Sequence, residues 1–153
     1  MAVSFSDTTC CTSTVGYICV DRDVTCSQYT KTFSNIPWPC PFRYNVLYKY
    51  GGVYQDRDVV WLNEIPDWLL GYPAVVSPEW PHYGEWPDTL NLGVLLARRH
   101  APFLRHFLST YRYFRDGDWN FNAVLMPYRT YEWYPDTLYL DRYLQVGFLM
   151  RWI

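Results

Sequence analysis

Two stretches of the chain place apolar residues at helical spacing. Between residues 42 and 50 the apolar side chains recur at i, i+4, i+5 and i+8, which puts them on one face of a helix. Between residues 102 and 115 aromatic residues recur every four positions from Phe103 onward, and Pro102 suits the first position of a helix. The pattern therefore predicts two helices, over 42–50 and 102–115, and Gly117 is expected to follow the second.

Short apolar runs bounded by glycine, proline or polar residues predict strands. The predicted strands cover 53–54, 74–77, 92–96, 137–140 and 144–148. Gly51 and Gly52 separate the first helix from the first strand, and glycine readily takes the left-handed conformation that often ends a helix. Because strands alternate with helices along the chain, we predict an α/β layered fold.

Residues 1–41 differ in character from the rest of the chain, since they are rich in Ser and Thr and show little helical period. They hold all five cysteines, at positions 10, 11, 19, 26 and 40. The cysteine spacing matches no two-pair zinc pattern, and disulfides and free thiols both remain open. No helix or central strand is expected to cross the run from Pro37 to Pro41. We therefore divide the chain into an N-terminal segment, 1–41, and a domain, 42–153.

Composition excludes several classes of protein. Half of the 153 residues are hydrophobic and 20% are aromatic, which excludes a disordered chain. The aromatic excess suits a large-residue core, and it also suits a surface that packs on the C–H face of a sugar ring. The net charge is −2 and the longest basic run is Arg98-Arg99-His100, so we expect no nucleic-acid partner. No apolar run approaches the ~20 residues of a membrane span.

The candidate chemistry lies in Asp56-Arg57-Asp58, directly after a predicted strand. Side chains at i and i+2 of a strand point to the same side, so the two carboxylates can meet one divalent cation. Mg²⁺ and Mn²⁺ prefer oxygen ligands and leave positions for phosphate oxygens. Alone the tripeptide is a weak signal, because two solvated loop aspartates have the same spacing, as at Asp21 and Asp23.

The wider sequence around this tripeptide carries a more specific pattern. Arg43 is followed by a predicted helix, then Gly-Gly-Val-Tyr, and Asp56 comes 13 residues after the arginine. This order resembles the glycosyltransferases with a DXD-containing sugar-binding region. That family includes fungal mannosyltransferases, α1,4-galactosyl- and α1,4-N-acetylglucosaminyltransferases and the clostridial glucosylating toxins. The segment from Asn91 to Leu104 resembles the family's later Asn-led strand and helix, so the likeness extends over roughly 42–148.

The resemblance implies a GT-A-like, Rossmann-related α/β domain that transfers a hexose or N-acetylhexosamine from a UDP- or GDP-sugar. It implies Mn²⁺ or Mg²⁺ at Asp56 and Asp58, which also contact the donor. It further places Arg43, Tyr54 and Asn91 in the donor site, and it assigns no catalytic nucleophile. The implied acceptor is a glycan, a glycolipid or a protein, and the implied compartment is the Golgi or secretory lumen.

Two departures from the family pattern shape the expectations. Cys40 stands where the family has an aspartate that contacts the donor sugar, and residues 1–41 do not resemble the family's base-binding strands. We therefore expect the chain to lack part of the N-terminal nucleotide-binding half and to be weakly active alone. Two other functions remain open at this point. One is an inactive paralogue that binds a sugar or a partner protein, and the other is a small secreted interaction module held by disulfides.

Overall fold

The computed structural model describes residues 8–12, 16–21, 39–79 and 89–144, and within these ranges it has a mixed α/β architecture. The strands are β1 (Thr8–Thr12), β2 (Gly16–Asp21), β3 (Gly52–Asp56), β4 (Ala74–Pro78), β5 (Leu90–Ala97) and β6 (Tyr139–Leu140). The α-helices are α1 (Pro39–Tyr50), α2 (Pro102–Ser109) and α3 (Met126–Trp133). The predicted α/β class is confirmed.

The six strands form one sheet in the order β1-β2-β3-β5-β4-β6. Neighbouring strands run antiparallel except β4 and β6, which are parallel. β2 pairs with β3, from Gly16 opposite Asp56 to Cys19 opposite Val53. Backbone from the N-terminal segment thus joins the sheet that carries the aspartates, and the division at residue 41 stays a prediction.

The first helix begins earlier than its apolar pattern predicted. α1 starts at Pro39 and includes Pro41, so it begins inside the run of prolines instead of at residue 42, and it does not cross the run from Pro37. The physical reason is position. The first four N–H groups of a helix have no acceptor within it, so a proline in the first turn removes no helical hydrogen bond.

The second predicted helix changes its geometry before its expected end. α2 ends at Ser109, and a 3₁₀ turn, Thr110–Tyr113, continues it. The Thr110 hydroxyl donates a hydrogen bond of 2.7 Å to the Phe107 carbonyl, which stabilises this tighter turn. Gly117 follows in a turn with φ of 75°. The sequence therefore placed the start of the helical segment at Pro102, whereas α geometry ends at Ser109 and the 3₁₀ turn at Tyr113, short of the predicted end at residue 115.

The C-terminal strands are shorter than the sequence indicated. Only Tyr139 and Leu140 of the predicted strand 137–140 pair in the sheet, because Pro135–Thr137 forms a 3₁₀ turn. The predicted strand 144–148 lies outside the described residues from position 145 onward. A π-helical turn, Phe121–Leu125, leads directly into α3.

Apolar side chains cover both faces of the sheet. Tyr54, Val76 and Leu95 belong to the larger core cluster, together with residues of α1 and α2. Val75, Val94 and Leu96 point the other way and pack with residues of the segment between β3 and β4. Alternate strand residues therefore face opposite layers, and Tyr54 faces the helices.

Gly51 sits where the end of α1 meets the loop between β5 and α2. Its φ is 74°, its N–H donates to the Leu47 carbonyl at 2.7 Å, and a Cβ there would lie 2.7 Å from the Arg99 backbone nitrogen. Glycine is required here for two reasons. Its conformation is left-handed, and the backbone of the loop after β5 occupies the position that a Cβ would take. This residue fixes the approach of α1 to the start of β3.

Replacing Gly51 by Ala is expected to lower the free energy of unfolding by roughly 2–4 kcal/mol, because strained φ and backbone overlap act together. Gly117→Ala is the matched control. Its φ is 75°, but no atom lies within 4 Å of the added Cβ, so it isolates the conformational cost of about 1 kcal/mol. Urea denaturation measures the free energy of unfolding of both variants. Equal losses in the two variants would show that the backbone near Arg99 moves away from the added Cβ at no cost.

Candidate functional site

Polar residues collect at one end of the sheet because of strand direction. β3 and β5 are antiparallel, with Gln55 opposite Val94, so β3 ends beside the middle of β5 and the first residues of β5 lie beyond it at the same end of the sheet. Ser77 near the end of β4 pairs with Asn91 near the start of β5. Asp56, Ser77 and Asn91 thus share one sheet end, although they are far apart in sequence.

Arg43 projects from α1 onto the end of β3. Its Nη1 donates hydrogen bonds to the Tyr54 hydroxyl at 2.7 Å and to Asp56 Oδ1 at 3.3 Å. The Tyr54 hydroxyl donates in turn to the same Asp56 oxygen. Tyr54 and Asp56 are two apart in a strand and face the same layer, which is why one guanidinium reaches both. Arg43 lies one turn into α1 and directs its guanidinium toward Asp56.

Two tyrosine rings cover the Arg43 guanidinium. Its Cζ lies 4.8 Å from the centre of the Tyr44 ring and 4.7 Å from that of Tyr54, and Nη2 donates to the Tyr44 hydroxyl at 2.6 Å. Cation–π contact and charge-assisted hydrogen bonds together stabilise a cation that is only 8% exposed. Arg43 is therefore a fixed positive charge aimed at Asp56, rather than a mobile surface group.

Burial raises the pKa of the Asp56 carboxyl, and the nearby charge of Asp58 raises it further. The hydrogen bond from Tyr54 and the charge of Arg43 act in the opposite direction and lower this pKa, but they do not outweigh burial. Burial also raises the pKa of Tyr54, so its hydroxyl keeps the proton that it donates to Asp56. The carboxylate of Asp56 is thus incompletely compensated, and an added cation would stabilise its charged form.

Asp58 lies beyond the strand, in the turn that follows it. β3 ends at Asp56, and the Val59 N–H donates to the Asp56 carbonyl at 3.2 Å, which closes the turn. Strand alternation therefore does not orient Asp58, contrary to the i, i+2 argument, and its side chain is exposed. The Trp61 indole N–H donates to the Gln55 side-chain oxygen and ties the segment after the turn back to β3.

The two carboxylates have the chemistry of a partial site for a hard cation. Both described hydrogen bonds to the Asp56 carboxylate use Oδ1, and within the described residues none reaches Oδ2. No group of three or more His, Cys, Asp or Glu side chains suited to a metal occurs in the described part of the chain. Mg²⁺-type sites often use one or two carboxylates and complete the shell with water and phosphate oxygens. Asp56 and Asp58 offer two carboxylates of that kind, and they lie near enough for the charge of Asp58 to raise the pKa of Asp56.

The remaining site residues proposed from the sequence have different surroundings. Asn91 Oδ1 accepts a hydrogen bond of 2.8 Å from the Gly93 N–H, and no described hydrogen bond joins Asn91 to Arg43 or to the aspartates. Tyr54 is fully buried, so it supports Asp56 from within the core. Sequence reasoning missed Tyr44, whose only sequence signal is an aromatic residue next to the arginine.

Comparison with known proteins identifies the region that contains this site. Residues 16–75 match the model of the family described as glycosyltransferase sugar-binding region containing DXD motif. The match includes the whole pattern from Arg43 to Asp58, so the resemblance to this family is confirmed. It begins before residue 42 and ends at 75, whereas the sequence likeness was placed over 42–148. No curated protein and no solved structure matched the chain. None of the helices in the described ranges has the length and apolar character needed to cross a membrane.

Proposed function

We propose that the sugar-binding region at residues 16–75 serves a metal-dependent glycosyltransferase that takes a hexose or N-acetylhexosamine from a UDP- or GDP-sugar. The observation that carries the proposal is the Arg43–Tyr54–Asp56 network beside Asp58 at one end of the sheet. A GT-A-like arrangement, a glycan, glycolipid or protein acceptor, and a Golgi or secretory location complete the proposal by family resemblance.

Asp56 and Asp58 would hold Mn²⁺ or Mg²⁺. When bound, the cation would neutralise charge on the diphosphate as the sugar–phosphate bond breaks. Arg43 and Tyr54 keep the Asp56 carboxylate in one orientation, because both bond to the same oxygen. By family resemblance Arg43 would also add a fixed positive charge to the donor site, and such preorganised charge needs no rearrangement during the reaction.

Cys40 lies in the first turn of α1, three residues before Arg43. The family's aspartate at this position contacts the donor sugar, and a thiol is a weak acceptor for sugar hydroxyls. We therefore propose weak donor binding and slow turnover for this chain. The prediction that residues 1–41 supply no pocket for the nucleotide base falls largely on residues outside the described ranges and stays a prediction. Loss of base contacts would matter greatly, because each ~1.4 kcal/mol is tenfold in affinity.

The test is to titrate UDP and GDP against the purified chain, with Mn²⁺ and with EDTA, and to follow hydrolysis of the matching nucleotide sugars. We expect Mn²⁺-dependent but weak binding of one of the two nucleotides. Micromolar affinity with ready turnover would show that the N-terminal segment completes the site. Metal-dependent binding of a nucleotide without turnover would favour the inactive paralogue. Equal nucleotide affinity in Mn²⁺ and in EDTA would contradict the proposal.

A further inference from the structure

The structure assigns to Tyr44 the role of a positioning residue for the metal site, and this inference rests on the proposed function. We propose that Tyr44 holds the Arg43 guanidinium in the orientation that occupies Asp56 Oδ1. The consequence is that Oδ2 of Asp56 stays directed toward a cation. Tyr44 itself touches neither of the carboxylates in any described hydrogen bond, so its effect passes through Arg43.

The contact between Tyr44 and Arg43 has two components. The Tyr44 hydroxyl accepts a hydrogen bond of 2.6 Å from Arg43 Nη2, and the tyrosine ring lies 4.8 Å from the guanidinium carbon. Nη1 of the same guanidinium donates hydrogen bonds to the Tyr54 hydroxyl and to Asp56 Oδ1. Because the guanidinium is planar, fixing Nη2 at Tyr44 fixes the direction in which Nη1 meets the carboxylate.

Tyr44 is suited to this task because it cannot move easily. It is fully buried, and its ring meets the Phe107 ring edge-on at 4.9 Å and the Tyr111 ring at 6.4 Å. Phe107 lies on α2, and Tyr111 lies in the 3₁₀ turn that continues it. A shift of α2 would therefore displace Tyr44, and a displaced Tyr44 would change the orientation of Arg43 and its hydrogen bond to Asp56.

Residues adjacent on a helix do not normally face each other, so the contact requires this tertiary setting. Tyr54 already supplies an acceptor for Nη1, and Tyr44 supplies the acceptor for Nη2. Removal of the Tyr44 hydroxyl takes this hydrogen bond from Nη2 and leaves the orientation of the guanidinium toward the carboxylate less tightly constrained. The cation would then meet a carboxylate that is no longer held in one orientation.

Tyr44→Phe tests the role, because it removes the hydroxyl and keeps the ring. Mn²⁺ titration followed by electron paramagnetic resonance, without nucleotide, is expected to show about tenfold weaker binding, at the low end of the loss typical for residues that orient a ligand. Tyr48→Phe is the matched control. Tyr48 lies one turn later on α1 with its ring against His100, and its variant should bind Mn²⁺ as the parent does.

A second variant distinguishes loss of the Tyr44 hydroxyl from a general change in the packing around Tyr44. Phe107→Leu keeps the Tyr44 hydroxyl but removes the ring that braces it, and it should weaken Mn²⁺ binding less than Tyr44→Phe, about two- to threefold. All titrations are run at a temperature where calorimetry shows each variant folded. In kinetic assays the Tyr44→Phe variant should need more Mn²⁺ for half-maximal rate while keeping its kcat at saturating Mn²⁺.

The outcomes separate this inference from the proposed function. Parental Mn²⁺ affinity in folded Tyr44→Phe, together with loss of binding in Asp58→Asn, would overturn the role of Tyr44 and leave the metal site standing. Equal weakening in the Tyr44 and Tyr48 variants would also overturn it, since both would then report a general effect on α1. Absence of Mn²⁺ binding in the parent would overturn both proposals.

Discussion

Asp58→Asn is expected to weaken Mn²⁺ binding at least about 100-fold while leaving the free energy of unfolding within about 0.5 kcal/mol of the parent. Its carboxylate is exposed and lies in a turn, so the fold does not depend on its charge. The proposed metal site would depend on it, because Asp58 is one of the two carboxylates that we propose bind the cation. Mn²⁺ titration and urea denaturation on the same preparation measure the two quantities.

Asp116→Asn is the matched control for charge, since Asp116 is also an exposed aspartate in a turn. It should change neither Mn²⁺ affinity nor stability. Asp56→Asn should lose Mn²⁺ binding as Asp58→Asn does, but it also deprives the buried Arg43 of its charge partner and should destabilise the fold. If Asp58→Asn kept parental Mn²⁺ affinity, the assignment of this residue to the metal would be wrong.

Arg43→Met is expected to lower the free energy of unfolding by about 2–3 kcal/mol, because it removes the hydrogen bonds that the guanidinium donates to two tyrosine hydroxyls and to the Asp56 carboxylate. The value lies below that of a fully buried ion pair, since the Asp56 side chain is 36% exposed and water can replace part of the lost contact. The same variant should weaken the affinity for nucleoside diphosphates in calorimetry. Unchanged nucleotide affinity would remove Arg43 from the donor site and leave it a structural role.

Arg129→Met is the control for loss of an arginine ion pair. Arg129 pairs with Glu132 at 2.7 Å on the surface of α3, with the arginine side chain 50% exposed. Exposed pairs of this kind contribute at most about 1 kcal/mol, so this variant should be nearly as stable as the parent and bind nucleotide normally. If Arg129→Met lowered the free energy of unfolding as much as Arg43→Met, the burial of Arg43 would not explain the cost of losing it.

Local sequence determined the elements that carry the site. Gly51 and Gly52 have no Cβ, so the chain can leave α1 in a left-handed conformation and enter β3 at once. The spacing of two residues between Tyr54 and Asp56 places both on the helix-facing side of that strand. These features depend on residues that are neighbours in the chain, and the family pattern from Arg43 to Asp58 rests on them.

Tertiary structure decided what the sequence left open or placed wrongly. Pairing of β3 with β5 and of β5 with β4 brought Asn91 to the sheet end of Asp56, which no local pattern encodes. The strand stopped at Asp56, so Asp58 came to lie in a turn instead of on the strand face. Packing of α1 against α2 buried Tyr44 and turned it onto Arg43. Burial and contacts between distant residues depend on how the layers pack, and hydrophobic periodicity specifies only which face of each element is buried.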